Sequence, residues 1–260
     1  MNLLSDQVFD LAGYWTWLLI SVRAATILTV LPGIGTSEIP AVFRGLLSII
    51  LAYAVTLSGV RAPEPSNLAE AGLMIGCETI LGFVLASVPM LIIQSLSIAG
   101  QVVSGAIGLG FPSMLDPSTE HSVPVLSRIQ TLVGTLLFMV VDGHHVVIRA
   151  LGATGPDSQI GMFRPGMDIA QLYLERFIAM FELSIVCAGP VLVAAILAQF
   201  VLGLITRAVP QVNVFIISLP LTIGLGLYLT IFNLPGMVDK MVDEFSGLEE
   251  VVTRIGVTAP

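Results

Sequence analysis

Residues 68–99 read LAEAGLMIGCETILGFVLASVPMLIIQSLSIA, and this stretch decides the class of fold. Its charged side chains are Glu70 and Glu78, and it exceeds the roughly 20 apolar residues that a helix needs to cross a bilayer. Pro89 lies inside it and lacks an amide donor, which predicts a bend or a split in the helix. The stretch therefore predicts a long helix of the membrane type.

The same apolar pattern recurs along the chain. Further segments lie at 11–31, 42–60, 125–151, 177–208 and 212–234, and Pro190 predicts a second bend or split. Hydrophobic residues make up 55% of the 260 positions and charged residues 11%, whereas a soluble domain has about 25% charged residues. The mean hydropathy is +0.97. The prediction is an all-α, integral membrane-type protein of about six apolar segments, forming a single domain over residues 1–260.

Charge and motifs exclude several functions. The net charge of −8 comes from 18 acidic and 10 basic residues, so the chain lacks the basic surface that a nucleic-acid partner requires. It contains no G-x-S-x-G motif, no H-E-x-x-H motif and no paired aspartates. The sequence therefore predicts no catalytic residues, no cofactor and no enzyme activity.

The run Asp142-Gly143-His144-His145 resembles a metal or proton site at first reading. Adjacent residues of a helix point about 100° apart, so these side chains should converge poorly on one ion. Gly143 would instead let another backbone approach closely. We therefore predict no metal site, and we expect the histidine pair to be used in packing where two helices cross.

Four charged side chains fall well inside apolar segments: Arg23, Glu78, Asp142 and Glu182. Each costs about 2.5 to 3.5 kcal/mol at the centre of a membrane helix, so each should face protein or water rather than lipid. We expect them to pair with neighbouring subunits or with backbone carbonyls. A role in conduction or proton relay is the alternative that the sequence leaves open.

Residues 100–124 read GQVVSGAIGLGFPSMLDPSTEHSVP and combine glycines, prolines and apolar side chains. Apolar, non-helical backbone at membrane depth is tolerated only where protein buries it or where it lines a cavity. We predict a loop that projects into a passage and plugs it; the alternative is a frayed continuation of the third helix. The candidate plug residues are Gly105, Ile107, Gly108, Leu109, Gly110, Phe111, Met114, Leu115, Asp116 and Pro117.

The C-terminal part, residues 237–260, has apolar residues at helical spacing with mainly acidic residues between them. This pattern predicts an amphipathic tail helix. Because acidic side chains disfavour an anionic lipid surface, we expect the tail to dock on a protein partner.

Four blocks of sequence carry a resemblance to a known family. They are Arg23, Pro32, Pro40 and Arg44; Gly100-Gln101 through Gly108, Phe111 and Asp116-Pro117; Gly143-His144; and residues 202–215, LGLITRAVPQVNVF, followed by Pro220. The chain resembles, over essentially its whole length, the FliR/SctT family, the R or T subunit of the type III secretion export gate. Two positions depart from the pattern: His145 doubles the histidine, and Gln199 stands where an asparagine is expected.

The resemblance implies a non-enzymatic gate subunit of a bacterial flagellar or injectisome basal body in the inner membrane. The family fold implies bent helical hairpins that resemble a P-type and a Q-type subunit fused together. Implied partners are the P/R-type and Q/S-type subunits, the B/U-type switch subunit, unfolded export substrates and membrane lipid. Candidate intersubunit or buried polar residues are Arg23, Arg44, Glu78, Asp142, His144, Glu182, Arg207, Pro210, Gln211 and Asn213.

Three questions stay open at the level of sequence. A secondary transporter is the alternative function, because broken helices and intramembrane acids also suit a substrate site at mid-depth. The sequence does not separate a flagellar from a virulence machine. It also does not separate helices that span lipid from helices that stand against sister subunits, since both arrangements bury apolar surface.

Overall fold

The structure is a computed structural model, and it describes residues 11–35, 39–109, 124–152, 160–208 and 214–257. All regular elements in these ranges are α-helices. They are α1 Leu11–Val30, α2 Ala41–Thr56, α3 Leu68–Ile107, α4 Val125–Val140, α5 Gly143–Arg149, α6 Met167–Ala208, α7 Val214–Ser246 and α8 Leu248–Val257. The predicted all-helical, membrane-type fold class is confirmed.

Three helical stretches of the described residues are long and apolar enough to cross a membrane: Leu68–Ile107, Met167–Ala208 and Ile217–Ile255. A fourth is added if α4 and α5, which are bent by 62°, form one broken span. The sequence predicted six segments of sufficient length. Two of the predicted segments fall short for local reasons: α2 has 16 residues, and the segment 125–151 is interrupted at Asp142, whose φ is 59°.

The internal prolines do not divide the long helices. α3 has 40 residues and contains Pro89, and α6 has 42 residues and contains Pro190. A proline removes one backbone hydrogen bond, while the turns on either side keep theirs. The predicted split at these two positions is therefore not found.

The chain forms two compact units. The first comprises Met1–Leu91, Phe138–Phe177 and Glu244–Pro260, and in it α1 packs against α2 and α5 while α5 contacts α8. One core cluster of this unit consists of Leu19, Ile20, Ala52, Ala62, Met74 and Ile160. Gly161 has φ +82°, and an added Cβ there would lie 2.5 Å from the Met74 methyl carbon. Glycine is thus required both by the backbone and by the packing.

The second unit comprises Ile92–Leu137 and Ile178–Asp243. Small residues allow α3 and α4 to approach closely, because a Cβ on Gly100 would lie 2.5 Å from the Ser127 Cα. The Ser127 hydroxyl donates to the Ser97 carbonyl at 2.8 Å. Between α6 and α7, the Asn233 amide donates to the Cys187 carbonyl at 3.0 Å. Small residues and buried polar groups of this kind are typical of packing between membrane helices.

The C-terminal tail is helical, but its apolar side is already covered by the chain itself. The buried positions are Met237, Met241, Phe245, Leu248, Val251, Val252 and Ile255. Within the first unit, the ring centroids of Phe245 and Phe138 lie 5.5 Å apart. Burial within the chain therefore already removes this apolar side from water. That the tail docks on a protein partner stays a prediction.

Candidate functional site

A buried ion pair joins two of the charges predicted inside apolar segments. Arg23 Nε donates to Glu78 Oε2 at 2.6 Å, and the two side chains are 4% and 0% exposed. The other carboxylate oxygen, Oε1, accepts the Gly161 amide proton at 2.7 Å. Arg23 Nη1 also donates to the Leu151 carbonyl at 3.4 Å. The pair therefore ties α1 and α3 to the backbone on both sides of residues 153–159.

The sequence predicted that these charges pair with neighbouring subunits or with backbone carbonyls. Arg23 does bond a backbone carbonyl, that of Leu151, but the main partner of each of the two charges is the other. Each finds its counter-charge in the same chain, and both carboxylate oxygens of Glu78 are hydrogen-bonded. A buried pair is tolerated when its geometry is good and its remaining polar atoms are satisfied. The sequence shows two opposite charges in two apolar segments, which makes an ion pair between them plausible in kind. It does not show that the two side chains lie close together.

Asp142 and the histidine pair form a small polar cluster at the bend between α4 and α5. The potential ligand atoms of Asp142, His144 and His145 all lie within 4.8 Å of one another. The sequence predicted that these side chains would point apart, as neighbours on one helix do. Asp142, however, precedes the helix and has the left-handed backbone conformation, so its side chain does not follow the helical spacing. His145 Nδ1 lies 3.0 Å from Asp142 Oδ1, and these side chains are 55% and 68% exposed. The cluster thus lies at the protein surface.

Gly143 allows a close approach, and the residue that approaches it is Phe138 of the same chain. A Cβ at this position would lie 2.5 Å from the Phe138 ring, so the glycine makes room for an aromatic side chain of the same chain. The rings of His144 and His145 have centroids 4.1 Å apart, and the Phe138 ring is 6.5 Å from His144. The expected packing role for this region therefore involves aromatic rings rather than a helix crossing.

The other predicted polar residues have different surroundings. Arg44 Nη1 donates to the Gly35 carbonyl at 3.2 Å, which ties α2 to the turn that directly follows α1. Glu182 and Arg207 are exposed on α6, the latter in its last turn. Pro210, Gln211 and Asn213 lie outside the described residues.

The candidate plug begins later than the sequence predicted, because α3 stays helical through Ile107. Gly108 has φ +90°, its amide donates to the Gly105 carbonyl at 3.4 Å, and the Leu109 amide donates to the Ser104 carbonyl at 2.9 Å. This pair of bonds is the Schellman motif that ends helices at a glycine. Gly105 and Ile107 thus belong to the last helical turn, and Gly108 and Leu109 form its cap.

The remaining candidate plug residues lie outside the described residues. They are Gly110, Phe111, Met114, Leu115, Asp116 and Pro117. The end of α3, which precedes these residues in the chain, is firmly packed, since Ile107 is 1% exposed. A Cβ on Gly226 would overlap the Ile107 side chain. Ile107 therefore packs the end of α3 tightly against α7.

Two side chains that the sequence did not single out as site residues complete the end of α3. A helix leaves its last four carbonyls without partners in the helix, and the cap supplies partners for two of them, those of Ser104 and Gly105. Gln199 Nε2 donates to the Ala106 carbonyl at 2.7 Å, and Thr222 Oγ1 lies 3.2 Å from the Ile107 carbonyl. The sequence holds one signal for this role. Gln199 is the only side chain of residues 188–205 that can donate a hydrogen bond.

The chain is similar to proteins of known name over most of its length. It is 28% identical to the flagellar biosynthetic protein FliR of Caulobacter vibrioides over 237 residues, which cover 90% of this chain and 94% of that protein. It is 28% identical to FliR of Aquifex aeolicus over 247 residues, or 95% of each chain. It is 24% identical to FliR of Bacillus subtilis over 230 residues, covering 87% of this chain and 88% of that protein.

The family comparison agrees with these relatives and with the four blocks of sequence. The model of the family described as "Bacterial export proteins, family 1" matches residues 14–248. The resemblance to the FliR/SctT family is thereby confirmed. Because the match extends over well more than half of the residues, the chain belongs to the bacterial export proteins of family 1.

Proposed function

We propose that the chain is a non-enzymatic subunit of the flagellar protein-export gate. It helps to form and to plug the channel through which unfolded polypeptides cross the bacterial inner membrane. The observation that carries the proposal is the match of residues 14–248 to a family of export proteins. The flagellar assignment is supported by relatives that are named flagellar biosynthetic proteins and that this chain matches over about nine-tenths of their length.

The exposed apolar surface supports an assembly with partners. On α2, Val42 is 71% exposed and Phe43 67%, and on α6, Ile185 is 67% exposed and Phe200 66%. Large exposed apolar side chains in such number mark protein or membrane contacts. The proposed partners are P/R-type, Q/S-type and B/U-type gate subunits in the basal body, together with membrane lipid, and unfolded polypeptides are the substrates.

The sequence that follows the end of α3 supports the proposed plug. A well-anchored helix end at Ile107 is followed in sequence by a glycine-rich apolar segment, residues 108–115. An idle export channel must hold back ions, and an apolar constriction can do so by dewetting. Burial of an apolar side chain contributes about 1.5 to 3 kcal/mol, so three such residues are enough to keep a gate closed most of the time.

Co-purification tests the assignment to a gate. The chain is expressed with the other membrane subunits of its export machine and extracted in detergent. A discrete complex containing those subunits is expected. A monomer that no subunit accompanies, and that a small solute stabilises, would favour the secondary transporter instead.

Permeability tests the plug. In cells carrying the assembled complex, replacement of Phe111, Met114 and Leu115 by serine should raise the uptake of a small dye, because the apolar packing of the plug is lost. Replacement of the polar Thr119 by alanine is the control and should leave uptake unchanged. An assembled serine variant without added uptake would contradict the plug.

A further inference from the structure

We propose that Asp142, His144 and His145 form a binding site for one divalent transition-metal ion such as zinc. The site lies in the first unit, at the bend between α4 and α5. It is independent of the proposed export function, because it rests only on the geometry and chemistry of three side chains.

The distances within the cluster suit a metal ion. The potential ligand atoms of the three side chains all lie within 4.8 Å of one another, and His145 Nδ1 is 3.0 Å from Asp142 Oδ1. Zinc binds nitrogen and oxygen at about 2.0 to 2.2 Å, so the ligand atoms of a tetrahedral site lie about 3.3 to 3.6 Å apart. Because Asp142 and His145 are more than half exposed, small rotations of their side chains reach these separations.

The backbone explains why the three side chains converge. His144 and His145 lie in the first turn of α5, and their ring centroids are 4.1 Å apart. Asp142 precedes the helix with a φ of 59°, a conformation that aspartate adopts more readily than most residues. Its carboxylate makes no capping bond to α5 and meets His145 instead. The sequence-based objection to a metal site assumed neighbours on one helix, and it does not apply to Asp142.

His144 provides a second, independent observation. Its Nδ1 atom is buried and has no hydrogen-bond partner in the part of the chain that the structure describes. A buried polar atom of this kind has lost its interaction with water and gained nothing in return. A metal ion bound through Nδ1 supplies the missing partner. The bond of about 2.0 to 2.1 Å is shorter than a hydrogen bond, so it needs less room than a water molecule does.

Aromatic packing holds His144 in position. Phe138 is fully buried, and its ring centroid lies 6.5 Å from that of His144 and 5.5 Å from that of Phe245. Gly143 leaves room for the Phe138 ring. A ligand whose side chain is already held by packing keeps the geometry that a metal site requires.

The donor atoms decide which class of ion binds. Two imidazoles with one carboxylate suit zinc and other divalent transition metals, whereas magnesium and calcium prefer oxygen ligands throughout. Three ligands from the protein leave at least one position on a zinc ion for water. The site is therefore selective for transition metals and accessible from the surface.

Zinc binding is tested on the assembled complex, purified through a tag without histidines and stripped with a chelator. Asp142→Asn keeps the size of the side chain and removes its charge, and His145→Gln removes an imidazole. His144→Gln is the third variant. Asp239→Asn is the matched control, because it removes another exposed carboxylate of the same chain.

Two measurements are made on each complex. Calorimetric titration with zinc chloride gives the affinity. Loss of a residue that only orients a metal ligand weakens binding about 10- to 100-fold, so loss of a ligand should weaken it at least about tenfold. Amide hydrogen exchange of residues 142–146 localises the site, since bound zinc should slow it in the unmodified complex and in Asp239→Asn but not in the three variants.

The outcomes decide the assignment. Zinc binding that each variant weakens at least about tenfold, and that excess magnesium does not displace, supports the site. Zinc affinity and exchange that are the same in Asp142→Asn, His145→Gln and the unmodified complex overturn it, as does the absence of zinc binding. If His144→Gln lowers the amount of complex, the variants of the two exposed residues decide alone. A loss with His145→Gln but none with Asp142→Asn overturns the three-ligand site.

Discussion

Arg23 and Glu78 are separated by 55 positions in the chain, and their side chains meet at 2.6 Å in the interior of the first unit. The contact joins α1 to α3, and Glu78 also binds the amide of Gly161, which follows residues 153–159. One carboxylate thus connects three separate parts of the chain. The network should therefore contribute to the stability of the first unit.

Glu78→Gln should destabilise the first unit by about 3 to 5 kcal/mol, because it leaves the Arg23 guanidinium buried without its counter-charge. Thermal unfolding of the detergent-solubilised complex measures the effect. Glu182→Gln is the control, since Glu182 is exposed and its replacement should change stability by less than about 0.5 kcal/mol. The double variant Arg23→Met with Glu78→Leu should recover most of the loss. Equal melting temperatures for Glu78→Gln and Glu182→Gln would refute the structural role of the pair.

Gly226→Ala and Gly224→Ala should change stability in opposite directions. A Cβ on Gly226 overlaps the Ile107 side chain, so alanine there forces overpacking that costs about 1 to 3 kcal/mol. A Cβ on Gly224 meets no atom within 4 Å, and alanine in a helix interior is favoured over glycine by about 0.5 to 1 kcal/mol. Unfolding temperatures of the two variants provide the test. A stabilising Gly226→Ala would show that Ile107 is not packed on α7.

Met241→Ala should destabilise the chain by about 2 to 5 kcal/mol, because Met241 is 0% exposed and its truncation leaves a cavity. The neighbouring Val242 is 36% exposed, so Val242→Ala should cost much less. The measurement is the amount of folded chain recovered in detergent, followed by thermal unfolding. If instead both variants fold normally and only Met241→Ala loses a partner subunit, the tail is a docking site after all.

Arg207→Ala should leave the stability of the isolated chain unchanged and lower the yield of the complex. Arg207 is exposed in the last turn of α6, where it can reach another subunit. If it pairs there, its loss leaves a partner group unsatisfied at about 1 to 3 kcal/mol. Quantitative co-purification with the other gate subunits checks this expectation, with Thr253→Ala on the exposed side of α8 as the control. A complex yield equal to that of the control would exclude an intersubunit role.

Much of the architecture could be predicted from local sequence. Long apolar runs with few charges specify membrane-type helices, because the length and polarity of each segment are properties of that segment alone. The blocks around Arg23, Gly100, Gly143 and residues 202–215 were sufficient to recognise the family. The contacts at the end of α3 could not be predicted in this way. Gln199, which bonds the Ala106 carbonyl, stood out in the sequence only as a departure from the family pattern.

The sequence by itself determined that this chain is an all-helical, membrane-type member of an export family, and it located the charges and glycines whose placement needed explanation. The tertiary structure decided what those residues contact: Arg23 binds Glu78, Gly226 accommodates Ile107, and the apolar side of residues 237–255 packs within the chain. The physical reason is that burial and helix formation follow from local composition. A counter-charge, a hydrogen-bond acceptor or a packing partner comes from a distant part of the chain, and only the fold brings the two together.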